Sequence, residues 1–219
     1  MLRLPVNSMV SKASMVSAVL LAAGEAKRMG RQKLLMPFGR GTVLERTLDN
    51  LLASKVDEVI VVLGHQARII KQVIDNRAVK TVINPDYKLG MSTSLITGLG
   101  LVDEQAQRIM IALADQPFIN SETYNMLIEA ALDCDKGIIV PVYKKERGNP
   151  VIFSTIYKQE LMRLKGDVGG KQVLRQYPGD VFEVIVHSNS IDLDINTIDD
   201  YIKLQNELDS KGINKTPYA

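Results

Sequence analysis

Residues 16–35 read VSAVLLAAGEAKRMGRQKLL, and the reading of this stretch decides the fold. Val16 to Ala22 is an apolar run of strand length. It breaks at Ala23-Gly24 into a loop that ends at Gly30, with Lys27, Arg28, Arg31 and Lys33 in and beyond it. A buried strand that feeds a glycine loop with cations has phosphate-binding geometry. Gly24 lets the backbone come close to a ligand, and small Ala22 and Ala23 leave room for a nucleotide. Successive loop N–H groups can form an anion-binding nest. Arg28 offers a planar fork for phosphate oxygens and Lys33 a compact mobile charge, and both suit a triphosphate. The plainer alternative is one more turn between strand and helix, with surface cations. Neither common nucleotide fingerprint is present: there is no G-x-G-x-x-G and no Walker A ending in Gly-Lys-Ser/Thr.

Downstream, Met36-Pro37-Phe38-Gly39 is a turn. Thr42 with Glu45 three residues on is a capping-box pattern, opening a helix whose apolar stripe is Val43, Leu44, Leu48, Leu51 and Leu52. Residues 57–64, DEVIVVLG, are a continuous apolar run, as expected of a strand covered on both faces in a parallel sheet. A helix over 66–75 and a short strand over 79–83 follow. The order βαβαβ predicts an α/β fold, a single-domain, Rossmann-like doubly wound sheet that is mostly parallel. Such sheets bind ligands at the carboxyl ends of their strands.

Several later segments come to that edge. Asn84-Pro85-Asp86 is turn chemistry, and Gly90-Met91-Ser92 opens a helix whose first-turn N–H groups and hydroxyls face it; an ordinary Ser-capped helix is the alternative. A strand over 108–114 ends in Asp115-Gln116-Pro117, which points a carboxylate into the crevice of the phosphate loop. Ser121 then caps a helix over 121–132. Residues 137–153 give two short strands, IIVPVY and PVIF, around the charged turn 144–148. A helix through 161–164 leads to Gly166-Asp167-Val168-Gly169-Gly170-Lys171, which can bind an anionic acceptor at the start of helix 171–176 or simply make a tight turn. A strand over 181–187, the run Asp192 to Thr197 and a helix over 199–208 complete a domain spanning 15–209. Residues 1–14 are expected to be a flexible leader and 210–219 a disordered tail.

Composition removes several classes. Twenty-seven basic against twenty-five acidic residues leave a net charge of +2, which is no nucleic-acid footprint. Any basic site is therefore local. A single cysteine, Cys134, excludes an internal disulfide and a thiolate metal cluster; at a helix end it reads as a buried inert thiol and fits a reducing cytoplasm. His65 and His187 are too far apart in sequence to make a zinc signature. No apolar run reaches the roughly 18 residues that span a bilayer, so no membrane partner is expected. A signal peptide ending near Ala22-Ala23 is rejected, because cleavage there would destroy the loop.

Taken together, the motifs resemble the MobA-like nucleotidyltransferase superfamily. Its signature of Leu-Ala-Ala-Gly, a short gap, Arg-Met-Gly and then Lys-Leu-Leu is unbroken here as Leu21-Ala22-Ala23-Gly24, Arg28-Met29-Gly30 and Lys33-Leu34-Leu35. The double alanine is similar to the molybdenum cofactor (molybdopterin) cytidylyltransferase branch; the guanylyltransferase branch usually has two glycines there. The resemblance spans about residues 16–205. It implies transfer of CMP from CTP to the phosphate of molybdopterin cofactor, with release of pyrophosphate.

By the same resemblance Leu21, Ala22, Ala23, Gly24, Arg28, Lys33, Gly90, Ser92 and Ser94 contact the nucleotide, and Arg28, Lys33 and Asp115 carry the chemistry. Asp115 and Asp194 hold Mg²⁺, a cation that prefers carboxylate and phosphate oxygens. Gln116, Pro117, Asn149, Pro150 and Gly169 lie near the acceptor. The chain departs from the family pattern at Asn149, where histidine is usual and a proton carrier is lost. It departs again at Asn196 and Ile198, which replace Asp and Pro in the closing motif. Alternatives within the enzyme class are guanylyl transfer to the same cofactor, or cytidylyl or uridylyl transfer to a sugar or polyol phosphate. Outside it, the chain could be a nucleotide- or cofactor-binding chaperone for a client molybdoenzyme.

Overall fold

The computed structural model describes residues 15–210. The expected leader, 1–14, lies outside the described residues, as does the expected tail apart from Ser210, which ends the last helix. The principal strands are β1 (Met15–Ala22), β2 (Glu58–Leu63), β3 (Lys80–Ile83), β4 (Ala106–Leu113), β5 (Ile138–Tyr143), β6 (Glu146–Arg147), β7 (Val151–Ser154) and β8 (Val181–Ile185). The helices are α1 (Val43–Leu52), α2 (Ala67–Ile74), α3 (Met91–Leu99), α4 (Ser121–Asp133), α5 (Lys158–Met162), α6 (Lys171–Gln176) and α7 (Ile198–Ser210). The sheet runs β3-β2-β1-β4-β7-β5-β8, with β6 paired only to β5.

β1 lies parallel between β2 and β4, with Ala22 opposite Leu63 and Leu21 opposite Leu113. Alternate side chains of a strand point to opposite faces. Ala18, Leu20 and Ala22 accordingly join a core with α1, α4 and α7, while Val19 joins a second core with α3, α5 and α6. That two-sided cover is why residues 18–22 and 59–63 are apolar without alternation. Fully burying one such leucine contributes about 1.5–3 kcal/mol.

The chain runs outward one way from β1 to β3 and returns to β4 on the other side. The strand order therefore reverses between β1 and β4, and the crevice opens at their carboxyl ends. Two strands break the parallel order, the short β6 against β5 and β7, and the second matters for function. β7 is antiparallel to both β4 and β5, so its amino end, rather than its carboxyl end, reaches the ligand edge and brings Asn149 there. The helix expected through 161–164 begins earlier, at Lys158, and α7 extends one residue earlier and two later than expected. Cys134 caps α4 and is half-buried rather than buried.

Candidate active site

The loop after β1 is held from both sides. The His65 N–H donates to the Ala23 carbonyl at 3.0 Å, tying the loop to the end of β2. Buried Gln32 donates through Nε2 to the carbonyls of Gly24 and His65, each at 3.4 Å. Met29 and Leu34 sink into the core, which anchors the segment between them and leaves Arg31 exposed. Ala26 adopts a left-handed conformation, φ 51°, a strain of the kind that gathers at functional loops. A Cβ on Gly24 would meet nothing within 4 Å. The fold itself therefore does not need glycine there; the space belongs to the crevice.

That crevice is a cavity of about 500 Å³. Leu21, Ala22, Ala23, Gly24, Lys33, Gly90, Ser94 and Asp115 all line it. Arg28 stands exposed at its rim and donates through Nη2 to Asn196 Oδ1 at 3.1 Å. A cavity of similar size, about 510 Å³, opens between the 37–42 hairpin, α1 and Leu208 and shares no lining residue with the crevice. Its Arg77 is already engaged by Asp49 and Glu45, which makes that pocket a braced structural corner.

Three charged groups meet at the floor. Lys33 Nζ forms an ion pair with Asp115 Oδ2, both side chains largely buried. The Ile195 N–H donates to the Asp115 carbonyl at 3.2 Å, which sets Asp194 beside Asp115. Burial raises the Asp194 carboxyl above the usual range, and the neighbouring Asp115 charge adds to the shift; hydrogen bonds from Gln116 and Asn196 and the charge of Lys33 oppose it. Two carboxylates that repel each other in a partly desolvated site fit a cation. Among the described residues no three His, Cys, Asp or Glu side chains cluster as a metal group. A cation here would complete its shell with phosphate and water oxygens, which is the habit of Mg²⁺. The residues present therefore fit the ion.

The start of α3 departs from expectation. Gly90 has φ 116°, and a Cβ there would lie 2.4 Å from the Gly166 carbonyl carbon, so the 164–167 turn can close on it only because it is glycine. The Met91 N–H donates to Asp167 Oδ1 and the Ser92 N–H to the Gly166 carbonyl, both at 3.2 Å. The helix N-terminus is thus capped by the protein itself rather than left open to a ligand. Ser94 lines the crevice, its Oγ accepting from buried Asn84 Nδ2 at 2.9 Å. Ser92 does not: it is buried facing the groove towards α5. Residues two apart lie about 200° apart around a helix, so the two serines cannot share one face.

A second cavity of about 280 Å³ adjoins the first across Met91, Leu113 and Asp167, and Asn149, Gly169 and Asp194 line it. Pro150 is buried. Gln116 and Pro117, expected near an acceptor, line neither chamber. The chain turns inward after Asp115, burying Gln116 against Asp194 and leaving the Pro117 carbonyl to accept from Asn50 Nδ2 at 3.1 Å. Asp167 and Lys171, which line the second chamber, lie within the glycine-rich segment already noted but had not been singled out. Asn84 was read only as part of a turn, which its Oδ1 does make by accepting from the Asp86 N–H at 2.9 Å; the further bonds of Asn84 to α3 and of Gln32 to the carbonyls of Gly24 and His65 have no motif to announce them.

The fold and this crevice define a nucleotide-binding α/β transferase domain with its phosphate loop at the reversal of strand order. The chain belongs to the MobA-like NTP transferase domain family, which matches residues 18–181, and it is a nucleotidyltransferase. It is 27% identical to the molybdenum cofactor cytidylyltransferase of Escherichia coli K12, covering 86% of this chain and 95% of that one. It is equally identical, 27%, to nicotine blue oxidoreductase of Paenarthrobacter nicotinovorans, over 86% and 96% of the two chains. The structure of Rv0371c from Mycobacterium tuberculosis H37Rv superposes with a TM-score of 0.82 at 31% identity, covering 89% of this chain and 98% of that one. A complex of the same mycobacterial protein with manganese superposes with a TM-score of 0.77 at 30% identity, over 88% and 99%. No helix among the described residues is long and apolar enough to cross a membrane.

Proposed function

We propose that the chain transfers CMP from CTP to the phosphate of a molybdopterin-type molybdenum cofactor, using Mg²⁺ and releasing pyrophosphate. The observation that carries this reading is the meeting of Lys33, Asp115 and Asp194 beside the glycine loop, between a nucleotide-sized chamber and a smaller one. The choice of substrates is supported by the full-length likeness to a molybdenum cofactor cytidylyltransferase and by Ala22-Ala23 in the loop. The choice of a divalent cation is supported by the pair of carboxylates and by the manganese complex of the mycobacterial relative.

An oxygen of the acceptor phosphate attacks the α-phosphorus, and the bond to the β-phosphate breaks. The acceptor is already an anion, so no proton has to leave it, and Asn149 in place of histidine removes nothing the step requires. Asp115 and Asp194 would hold the cation, and Lys33, which pairs with Asp115 Oδ2, would bring its charge to the phosphate oxygens. Arg28, held at the rim by Asn196, reaches the outer phosphates. When bound, Mg²⁺ neutralises charge on the triphosphate and its leaving group. The rest is positioning and charge stabilisation by fixed groups.

Mass analysis of the product formed from CTP and purified molybdopterin cofactor tests the reading. A cofactor species heavier by one cytidylyl group is expected; recovery of unmodified cofactor together with intact CTP would overturn it.

A further inference from the structure

Gln116 has been left without a role by the substrate reading, yet it is almost fully buried, 1% exposed, directly beneath the paired carboxylates. Its side-chain amide donates both protons. One goes to the Ile191 carbonyl at 3.2 Å, the other to Asp194 Oδ1 at 2.7 Å. Its own Oε1 is buried with no hydrogen-bond partner. Turning the amide over would satisfy neither neighbour, because it would set the oxygen against a carboxylate and a carbonyl. The side chain thus accepts an unpaired oxygen in order to keep two donors aimed at residues 191 and 194.

We propose that Gln116 is the positioning residue that holds Asp194 in its cation-binding orientation, so that Asp115 and Gln116 act together, one as ligand and the other as clamp for the second ligand. The inference rests on the reading that Asp115 and Asp194 share a divalent cation. A neutral amide suits the task. It fixes Oδ1 with a charge-assisted hydrogen bond without cancelling the carboxylate charge, as lysine or arginine would. Oδ2 is left with one long contact, 3.5 Å from Asn196 Nδ2, and is the oxygen free for a cation. The Ile191 bond anchors the clamp to the turn at 189–192, and the Ile195–Asp115 backbone bond closes the segment on its other side. Donors of this kind behind a metal ligand typically govern affinity by about 10-fold to 100-fold.

The test is Mn²⁺ affinity, followed by electron paramagnetic resonance on the full chain without nucleotide, for wild type, Gln116→Met, Asp194→Asn, Asp115→Asn and the Gln116→Met/Asp194→Asn double variant. The expected result is about a 10-fold to 100-fold weaker Mn²⁺ affinity for Gln116→Met, with native circular dichroism. The double variant is expected to bind no worse than Asp194→Asn alone, because the clamp acts through that carboxylate. Wild-type Mn²⁺ affinity in folded Gln116→Met, or an additive loss in the double variant, would overturn the proposal while leaving the metal pair standing. Unchanged binding in both Asp115→Asn and Asp194→Asn would instead overturn the metal reading, and this inference with it. Should Gln116→Met lose the native fold, Gln116→Asn serves in its place. Its amide is one methylene too short to reach both partners, so weakened Mn²⁺ binding supports the clamp and wild-type binding refutes it.

Discussion

The phosphate loop, residues 21–35, and the closing segment, residues 189–200, face each other across one crevice but are built in opposite ways. The loop is nearly self-contained. Its anchors Met29 and Leu34, its chamber-lining alanines and its cations are all close in sequence, and from outside it takes chiefly the end of β2. The closing segment has little regular structure of its own before α7. It is held by residues far back in the chain: the Asp115 carbonyl receives the Ile195 N–H, and the Gln116 amide reaches both Ile191 and Asp194. The difference teaches where robustness lies. A loop written locally can be damaged only locally, whereas the closing segment is lost if any one of its distant partners moves.

The largest expected effects fall on charges at the junction of the two regions. Lys33→Ala and Asp115→Ala should each lower kcat by about 10²-fold or more, measured by pyrophosphate release, in chains that keep the native circular dichroism. Near-normal turnover in either variant would separate the two regions functionally and break the comparison.

Two glycines sharpen it next. Gly90→Ala forces a Cβ against the Gly166 backbone at positive φ and should destabilise the fold by about 1–3 kcal/mol, read by denaturant unfolding. Gly24→Ala meets no protein atom within 4 Å; it should leave stability unchanged and weaken triphosphate binding, read by calorimetry. The reverse pattern would mean that the crevice volume is not ligand space.

Smaller effects belong to the start of α7. Thr197 Oγ1 accepts from the Asp200 N–H at 3.1 Å, and Asp200 Oδ2 accepts from the Thr197 N–H at 2.8 Å, a reciprocal cap that replaces the missing proline at position 198. Thr197→Ala should cost about 1 kcal/mol, seen as a fall of roughly 2–4 °C in the thermal midpoint.

The smallest effect is in acid. The Thr197 hydrogen bond, followed by the backbone donors of Thr197 and Asn196, holds the Asp200 carboxyl below its ordinary value of 3.8. Its contribution to stability is therefore complete above that value and disappears as pH falls through the lower folded-state value. Thermal midpoints measured below about pH 5 should fall less steeply in Thr197→Ala than in wild type.

How much of this was legible follows the same division. The unbroken apolar runs at 18–22 and 59–63 suit a sheet covered on both faces, so the fold could be read from them. The phosphate loop was legible because its parts are contiguous. Asp194 was legible only through a motif, and the turn of Gln116 towards Asp194 was not legible, because nothing local says which way a side chain turns after a strand ends. Ser92 and Ser94 were paired by proximity in sequence, whereas helix geometry sends them to different faces. The antiparallel β7 was hidden because a four-residue strand reads the same in either direction; only its pairing with β4 places Asn149 at the ligand edge.

The most direct test of the central claim is pyrophosphate release with Mg²⁺ and purified molybdopterin cofactor, comparing CTP, GTP, ATP and UTP side by side. Release with CTP alone is the predicted result. Release with GTP instead would keep the crevice and contradict the assigned base, and silence with all four while the nucleotides still bind would contradict the assigned transfer itself.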